Sequence, residues 1–218
     1  DTFAFDNDFA SLRAEAPAGS AAAHPLLRAD SVRGECRVVC FSPRHDLTLA
    51  QLDAGAIGAV VDAWARQVAA LSQRWQWVQV FENKGELMGC SNPHPHCQVW
   101  ALDALPNEPR KEDAHQREYL AAHGRALLLD YADLETARGE RVVEGSDAWV
   151  AVVPFWAVWP FETVLLPRRP VGHLPDLSPA ERADLAALLA RLLARYDHLF
   201  QTSFPYSMGW HGRPPGGG

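Results

Sequence analysis

No stretch of this sequence approaches the ~20 consecutive apolar residues that a membrane helix needs, so no membrane span is expected. No charged-then-apolar leader is seen, and no signal peptide is expected. Cysteine is scarce. The four thiols, Cys36, Cys40, Cys90 and Cys97, are too few for a disulfide framework and are expected to be reduced in a cytoplasmic protein. An excess of basic residues is missing as well. A net charge of −7 argues against a dedicated nucleic-acid binder, which usually shows a basic face. Small anionic ligands stay open, because a few local donors can hold them. What remains is ordinary for a packed domain: 48% hydrophobic and 22% charged residues. The length of 218 residues suffices for one large core or two small ones.

Both ends are expected to be incomplete. The start, "DTFAFDNDFA", has no initiator Met and is already rich in aromatics. The end, "GWHGRPPGGG", passes abruptly from a patterned stretch into Pro and Gly, for which a flexible tail is the alternative reading.

Between the ends, a strand is expected at "CRVVCF" (36–41) and a helix within "LAQLDAGAIGAVVDAWARQVAALSQRW". There Ile57, Val60, Val61, Trp64, Val68 and Leu71 recur at helical spacing on one face. A second strand, "WVQVF" (77–81), precedes a histidine-rich stretch, and "QVWA" after it is again β-like. A polar helix is expected from about residue 108 to 122, with His123-Gly124 as its stop. The order then returns, with strands at "WVAVVPF" (149–155) and "FETVLLP" (161–167). The clearest helix is "SPAERADLAALLARLLARYDHLF", where Ser178 can cap, Pro179 suits the first position and Glu181 completes a capping box. Leu185, Leu188, Leu189, Leu192, Leu193, Tyr196 and Leu199 form its buried stripe. "YSMGW" then takes the place that "WVQVF" holds in the first half. The pattern of strand, long helix, second strand and Gly repeats, which implies two copies of one α+β unit split between residues 125 and 145.

The stretch "GCSNPHPHCQVWA" (89–101) carries the chemistry. Alternation along a strand puts His94, His96 and Gln98 on one face. Pro95 cannot donate to a sheet ladder, so an edge strand or an irregular strand end is expected there. Gly89 allows close backbone approach, and Ser91 and Asn92 add side-chain donors. Imidazoles and neutral amides converge, with no carboxylate inside the motif. A metal site, phosphoryl chemistry and a purely structural role all remain open on the residues alone, since imidazole is the commonest metal ligand.

"FENKGELMGCSNPHPHCQVWA" resembles the active-site signature of the galactose-1-phosphate uridylyltransferases, the transferase branch of the histidine-triad superfamily. "FDNDFA", "RGECRVVCFSPRHDLTL", "VVPFWAVWPFETVLLPRR" and "SFPYSMGWHG" are similar to further family segments and stand in family order. Hydrolases of the superfamily carry a third histidine where this chain has Gln98. The resemblance implies an α+β fold of two tandem histidine-triad-like lobes, residues 1–125 and 126–218. Each lobe would be an antiparallel or mixed sheet with a long helix, the second lobe incomplete.

The same resemblance implies a function: ping-pong transfer of UMP from UDP-glucose to galactose 1-phosphate, the uridylyl-transfer step of galactose use. His96 matches the nucleophile, and Gln98 and Ser91 the donors to the phosphoryl oxygens. An imidazole is largely neutral at pH 7 and can attack without a separate base, and a phosphate monoester leaves readily. Asn83 matches a contact to the nucleotide phosphates, Gly89 and Cys90 are further expected substrate contacts, and Phe5, Asn7 and Asp8 match contacts to uracil and ribose. A disordered end is the alternative for residues 5 to 8.

His45 and His94 match the two histidines of the family's zinc site, whose cysteine pair is missing from this sequence. Cys36 and Cys40 are rejected as substitutes, because positions i and i+4 of an extended strand lie about 13 Å apart. Glu112 and His211 match two ligands of a second, iron-type site, with a solvated surface carboxylate as the alternative for Glu112. No organic cofactor is implied. Homodimers with active sites shared between subunits are implied by the family. Two other classes stay open: a weakly active nucleotide-binding fragment, and a hydrolase of nucleotide phosphate bonds, against which Gln98 argues. His24, His115, His123, His173 and His198 are expected at the surface, and Trp64 and Trp100 in the core.

Overall fold

One antiparallel sheet carries the first half of the chain and takes its final strand from the second half. The protein's structure, a computed structural model, describes residues 1–17 and 19–214. The first half contains β1 (Phe3–Asp6), a hairpin of β2 (Ser20–His24) and β3 (Leu27–Asp30), and β4 (Gly34–Cys40). Helix α1 (Ala54–Leu71), β5 (Trp77–Lys84) and β6 (His96–Leu102) follow. The second half contains α2 (Asn107–His123), α3 (Leu127–Arg138), β7 (Val142–Gly145), β8 (Trp149–Val152), β9 (Val164–Pro167), α4 (Pro179–Phe200) and β10 (Tyr206–Trp210).

The main sheet has the order β1-β4-β6-β5-β10, with every neighbouring pair antiparallel. Its strands alternate as a half-covered sheet should. Val39, Val80, Cys97, Val99 and Ala101 turn to one face and are buried. Helices α1 and α4 cover that face, and the core they close includes Ile57, Val60, Val61, Trp64, Leu185, Leu188 and Leu189.

Both long helices start where their side chains can cap them. Asp53 Oδ1 accepts from the backbone N–H of Ala56 at 2.8 Å, so α1 begins at Ala54 rather than at Leu49. Residues Leu49–Gln51 form a short 3-10 turn instead. In α4, Ser178 Oγ accepts from Glu181 N at 3.3 Å while Glu181 Oε2 accepts from Ser178 N at 2.8 Å, the expected capping box. Arg169 clamps the same carboxylate, and these donors hold Glu181 down at about pKa 2. The polar helix α2 ends where it should, with Gly124 in the left-handed region at φ 69°.

A second sheet, β7-β8-β9, is sandwiched by helices. Trp149 and Ala151 of β8 join the main core, while Val150 and Val152 pack with Ala132 of α3. This two-sided burial explains why "WVAV" reads as a continuous apolar run.

The structure adds elements to the sequence reading and changes one pairing. Strand β1, the β2–β3 hairpin, helix α3 and strand β7 were not expected. Strand β10 does not extend the three-stranded sheet of its own half but pairs with β5, Tyr206 opposite Lys84 and Trp210 opposite Val80. Pro95 takes the second of its two expected placements, an irregular strand end. It sits just before β6, the central strand of the sheet, and its carbonyl accepts from Phe41 N at 2.9 Å, so the missing N–H is not needed.

Candidate active site

The face of the main sheet opposite the helices presents the polar residues of β6. His96, Gln98 and Trp100 alternate with buried Cys97 and Val99, as the period of two requires. A concavity over this face is lined by Phe81, Asn83, Gly89, Cys90, Ser91, His96, Cys97 and Gln98. It therefore gathers both expected catalytic donors, the expected nucleophile and the expected contacts at Asn83, Gly89 and Cys90.

His96 is held in one orientation. Its Nδ1 lies 2.7 Å from the His94 carbonyl oxygen. A carbonyl can only accept, so Nδ1 carries a proton, and in the neutral ring the lone pair is on Nε2. The acceptor of this bond, the His94 carbonyl, is kept in place by the loop around it. Asn92 Oδ1 accepts from His94 N at 3.0 Å, and the Cys90 thiol donates to the Asn92 carbonyl at 3.0 Å. Gly85 and Gly89 flank a one-turn 3-10 segment, Glu86–Met88, with φ of 93° and 78°, which a side chain would strain. At Gly85 a Cβ would also stand 3.1 Å from Pro205.

Asn83 is oriented from the other side. Ser207 of β10 donates to Asn83 Oδ1 at 2.7 Å, which leaves the amide hydrogens to act as donors. Phe5 is not among the residues that line the concavity. It lies in the same cross-strand row, opposite Val38, which in turn faces Gln98. Two strand spacings put it about 10 Å away. Asn7 and Asp8 follow β1, with Asn7 N bonded to the Cys36 carbonyl at 2.9 Å. Asn7 Oδ1 accepts from Phe9 N at 3.0 Å, so that oxygen is used in a local turn.

Neither Cys40 nor Cys97 competes with His96 as a nucleophile, since burial pushes both thiols up. Cys97 instead accepts the indole N–H of Trp64 at 3.2 Å inside the core.

Two expectations about residue type are corrected here. Trp64 is core, but Trp100 is only half-buried and stands on the site face, because its position shares the parity of His96 and Gln98. His173 is half-buried rather than on the surface, and burial lowers its pKa. Phe81, Trp100 and Ser207 are site residues that the sequence reading passed over. The parity of β5 and β6 would have found the first two. Ser207 carries no local signal, because its role depends on a pairing across the chain.

The candidate metal ligands do come together in pairs. The rings of His45 and His94 are 6.1 Å apart, centroid to centroid. His211 Nδ1 lies 2.7 Å from Glu112 Oε2, which joins the end of β10 to α2 and holds that carboxyl below its usual range. Glu112 is therefore not a free surface carboxylate. Among the described residues, no group of three or more His, Cys, Asp or Glu side chains surrounds a common point. Two donors do not satisfy a tetrahedral zinc ion, so neither pair as it stands fits a structural metal site.

Comparison with known proteins places this geometry in a family. The model of the galactose-1-phosphate uridyl transferase N-terminal domain matches residues 1–106, and that of its C-terminal domain matches residues 112–217. The chain belongs to the galactose-1-phosphate uridyl transferase family. It is 54% identical over 215 residues to the galactose-1-phosphate uridylyltransferase of Rattus norvegicus, covering 99% of this chain and 57% of that protein. It is 50% identical over 212 residues to that of Haemophilus influenzae, covering 97% of this chain and 61% of the relative. The chain thus spans about three fifths of the length of these relatives.

Solved structures agree. A uridylyltransferase superposes with a TM-score of 0.89 at 29% identity, covering 98% of this chain and 68% of the other. An ADP-glucose phosphorylase from Arabidopsis thaliana, solved with bound ADP-glucose, shares the fold with a TM-score of 0.83 at 24% identity, over 98% and 66% of the two chains. In this chain, then, the part that matches the C-terminal domain supports a cavity lined by the part that matches the N-terminal one. Ser207 from the former orients Asn83 of the latter.

Proposed function

We propose that the protein transfers a uridylyl group from UDP-glucose to galactose 1-phosphate through a uridylyl-histidine at His96. Nε2 attacks the α-phosphorus. The N–P bond forms as the bond to the bridging oxygen breaks, and glucose 1-phosphate departs with that electron pair. A phosphate oxygen of galactose 1-phosphate then attacks the same phosphorus and frees the imidazole. Two displacements in sequence predict ping-pong kinetics. Charge on the phosphoryl oxygens is met by Gln98 and Ser91, with Asn83, Gly89 and Cys90 along the nucleotide phosphates. Phe5, Asn7 and Asp8 would meet uracil and ribose as substrate closes over the sheet.

The observation that carries this reading is the 2.7 Å contact between His96 Nδ1 and the His94 carbonyl. It reserves Nε2 as the attacking nitrogen of the neutral ring, on a histidine that lines a cavity whose other polar groups are neutral donors. That set suits an anionic phosphoryl group.

The reading extends to a cytoplasmic homodimer active in galactose use, with UDP-galactose and glucose 1-phosphate as the products. An exposed aromatic run between β8 and β9, including Phe155, Trp156 and Trp159, supports a partner surface. Zinc and the iron-type ion are proposed only for fuller family members. Here His45 with His94, and Glu112 with His211, would each supply two donors, and no step depends on them.

Intact-protein mass spectrometry after mixing with UDP-glucose tests the reading, beside His96→Ala. A uridylyl-sized gain in the parent, absent in the variant, is the expected result. UDP-glucose consumption that does not depend on added hexose 1-phosphate would instead mark a hydrolase.

A further inference from the structure

The amide of Gln98 can point two ways, and only one of them serves a phosphoryl group. Presenting Nε2 offers two hydrogens to an anionic oxygen. Presenting Oε1 sets a lone pair against it. In water an unrestrained carboxamide adopts both orientations, so a donor role needs something that distinguishes them.

We propose that Trp100 is a positioning residue that fixes the Gln98 amide with its hydrogens toward the substrate. This rests on the uridylyl-transfer reading above. Trp100 Nε1 lies 3.1 Å from Gln98 Oε1. An indole N–H is a donor only, so its partner must be the carbonyl oxygen, and the orientation follows from that chemistry alone. The two residues are two apart on β6 and share the site face, which lets a side chain reach its neighbour along the strand.

Trp100 is itself restrained. The ring of Phe81 meets it edge to face at 5.6 Å and 79°. Phe81 stands directly opposite Gln98 in the β5–β6 register, so one aromatic ring touches the indole from the position that borders the amide. Phe81, Trp100 and Gln98 thus form a closed set. A packed aromatic pair holds the N–H, the N–H holds the carbonyl, and the carbonyl sets where the amide hydrogens go. Pre-set donors of this kind need no reorganisation when charge develops.

Trp100→Phe keeps an aromatic ring against Phe81 and removes only the indole N–H and its fused ring. Loss of a whole donor at a developing oxyanion slows reactions on the order of 100- to 1000-fold. Loss of the group that only orients a donor is expected to cost less, about tenfold. The test is a double-mutant cycle on the rate of adduct formation with UDP-glucose, using Trp100→Phe, Gln98→Ala and the double variant. The expected result is a slower rate in Trp100→Phe with little change in KM, and no further slowing when Trp100→Phe is added to Gln98→Ala. Equal slowing on both backgrounds, or none on the parent, overturns the proposal.

An NMR measurement reads the bond without turnover. The Trp100 Nε1–H resonance, assigned by its loss in Trp100→Phe, should move in Gln98→Ala, and an unmoved resonance also overturns the proposal. A parent that forms no adduct while this resonance does move would place the failure in the uridylyl-transfer reading, and the positioning role would fall with it.

Discussion

Tyr206 donates a hydrogen bond to the buried carboxyl of Glu82, Oη to Oε2 at 2.9 Å, and so ties β10 to β5 on the helix-covered face of the sheet. Beside it, Lys84 Nζ lies 3.3 Å from Asp197 of α4, and Asp197 Oδ1 also accepts from Phe204 N at 2.8 Å. The join between the two halves of the chain is therefore polar at this point, although both Glu82 and Lys84 are more than nine-tenths buried.

Burial pushes Glu82 up from 4.5 to about 7, against the lowering pull of Tyr206 and Lys84. A carboxyl raised in this way binds more protons folded than unfolded between those two values. Its contribution to stability is full below about 4.5 and is lost as pH rises through about 7. The difference is on the order of 3 kcal/mol. Glu82→Gln keeps an acceptor for Tyr206 and cannot ionise. Melting curves from pH 5 to 8 should therefore show the variant gaining on the parent as pH rises. His173, lowered by burial, works in the opposite direction in both proteins, so the difference between them isolates Glu82. A constant gap across the range would refute the assignment.

Trp64 is fully buried between α1 and the sheet, with its N–H on Cys97. Trp64→Ala removes the largest fully buried side chain and should cost about 3–5 kcal/mol. That is a large share of a typical stability of about 5–15 kcal/mol. Urea denaturation should show the midpoint falling with an unchanged slope. A loss under about 1 kcal/mol would mean that the core collapses around the gap.

Ser178→Ala opens the capping box of α4 and should cost about 1 kcal/mol. The expected readout is a lower urea midpoint with unaltered adduct chemistry, because the cap lies away from the cavity.

Ser207→Ala releases Asn83 Oδ1 and lets the amide turn. One lost hydrogen bond is worth about 1 kcal/mol, so UDP-glucose should bind about fivefold more weakly by calorimetry. His96 keeps its own bond to the His94 carbonyl, so the adduct should still form at saturating substrate. Unchanged affinity would remove Asn83 from the phosphate contacts.

How far the sequence could be read depends on how local each signal is. Helices α1 and α4 were legible because their apolar stripes repeat at 3.6 residues and their caps sit at the expected offsets, although the stripe of α4 is buried only through Leu193 and Leu199 is exposed. The site face of β6 was legible because His96 and Gln98 differ by two. Helix α3 was not. Its "LLLDYADLETAR" mixes apolar and acidic residues with little facial separation, and its buried Glu135 is balanced by an Arg141 outside the helix. The partner of β10 was also beyond local reading, since nothing in "YSMGW" names "WVQVFENK". Trp100 was misjudged by residue type, where strand parity would have placed it correctly. The pairing of Glu112 with His211 came from resemblance, across 99 residues that no periodicity bridges.

The position of β10 bears on how the protein is made. Ser207 leaves the ribosome 124 residues after the Asn83 that it orients. The sheet of the N-terminal half can pair four of its strands early, but its β5 edge stays open until nearly all of the described chain has been synthesised. Closing so long a loop is slow, and an unpaired strand edge invites wrong partners while it waits. The cavity around His96 is thus finished last, and its assembly is as exposed to errors of folding as to errors of chemistry.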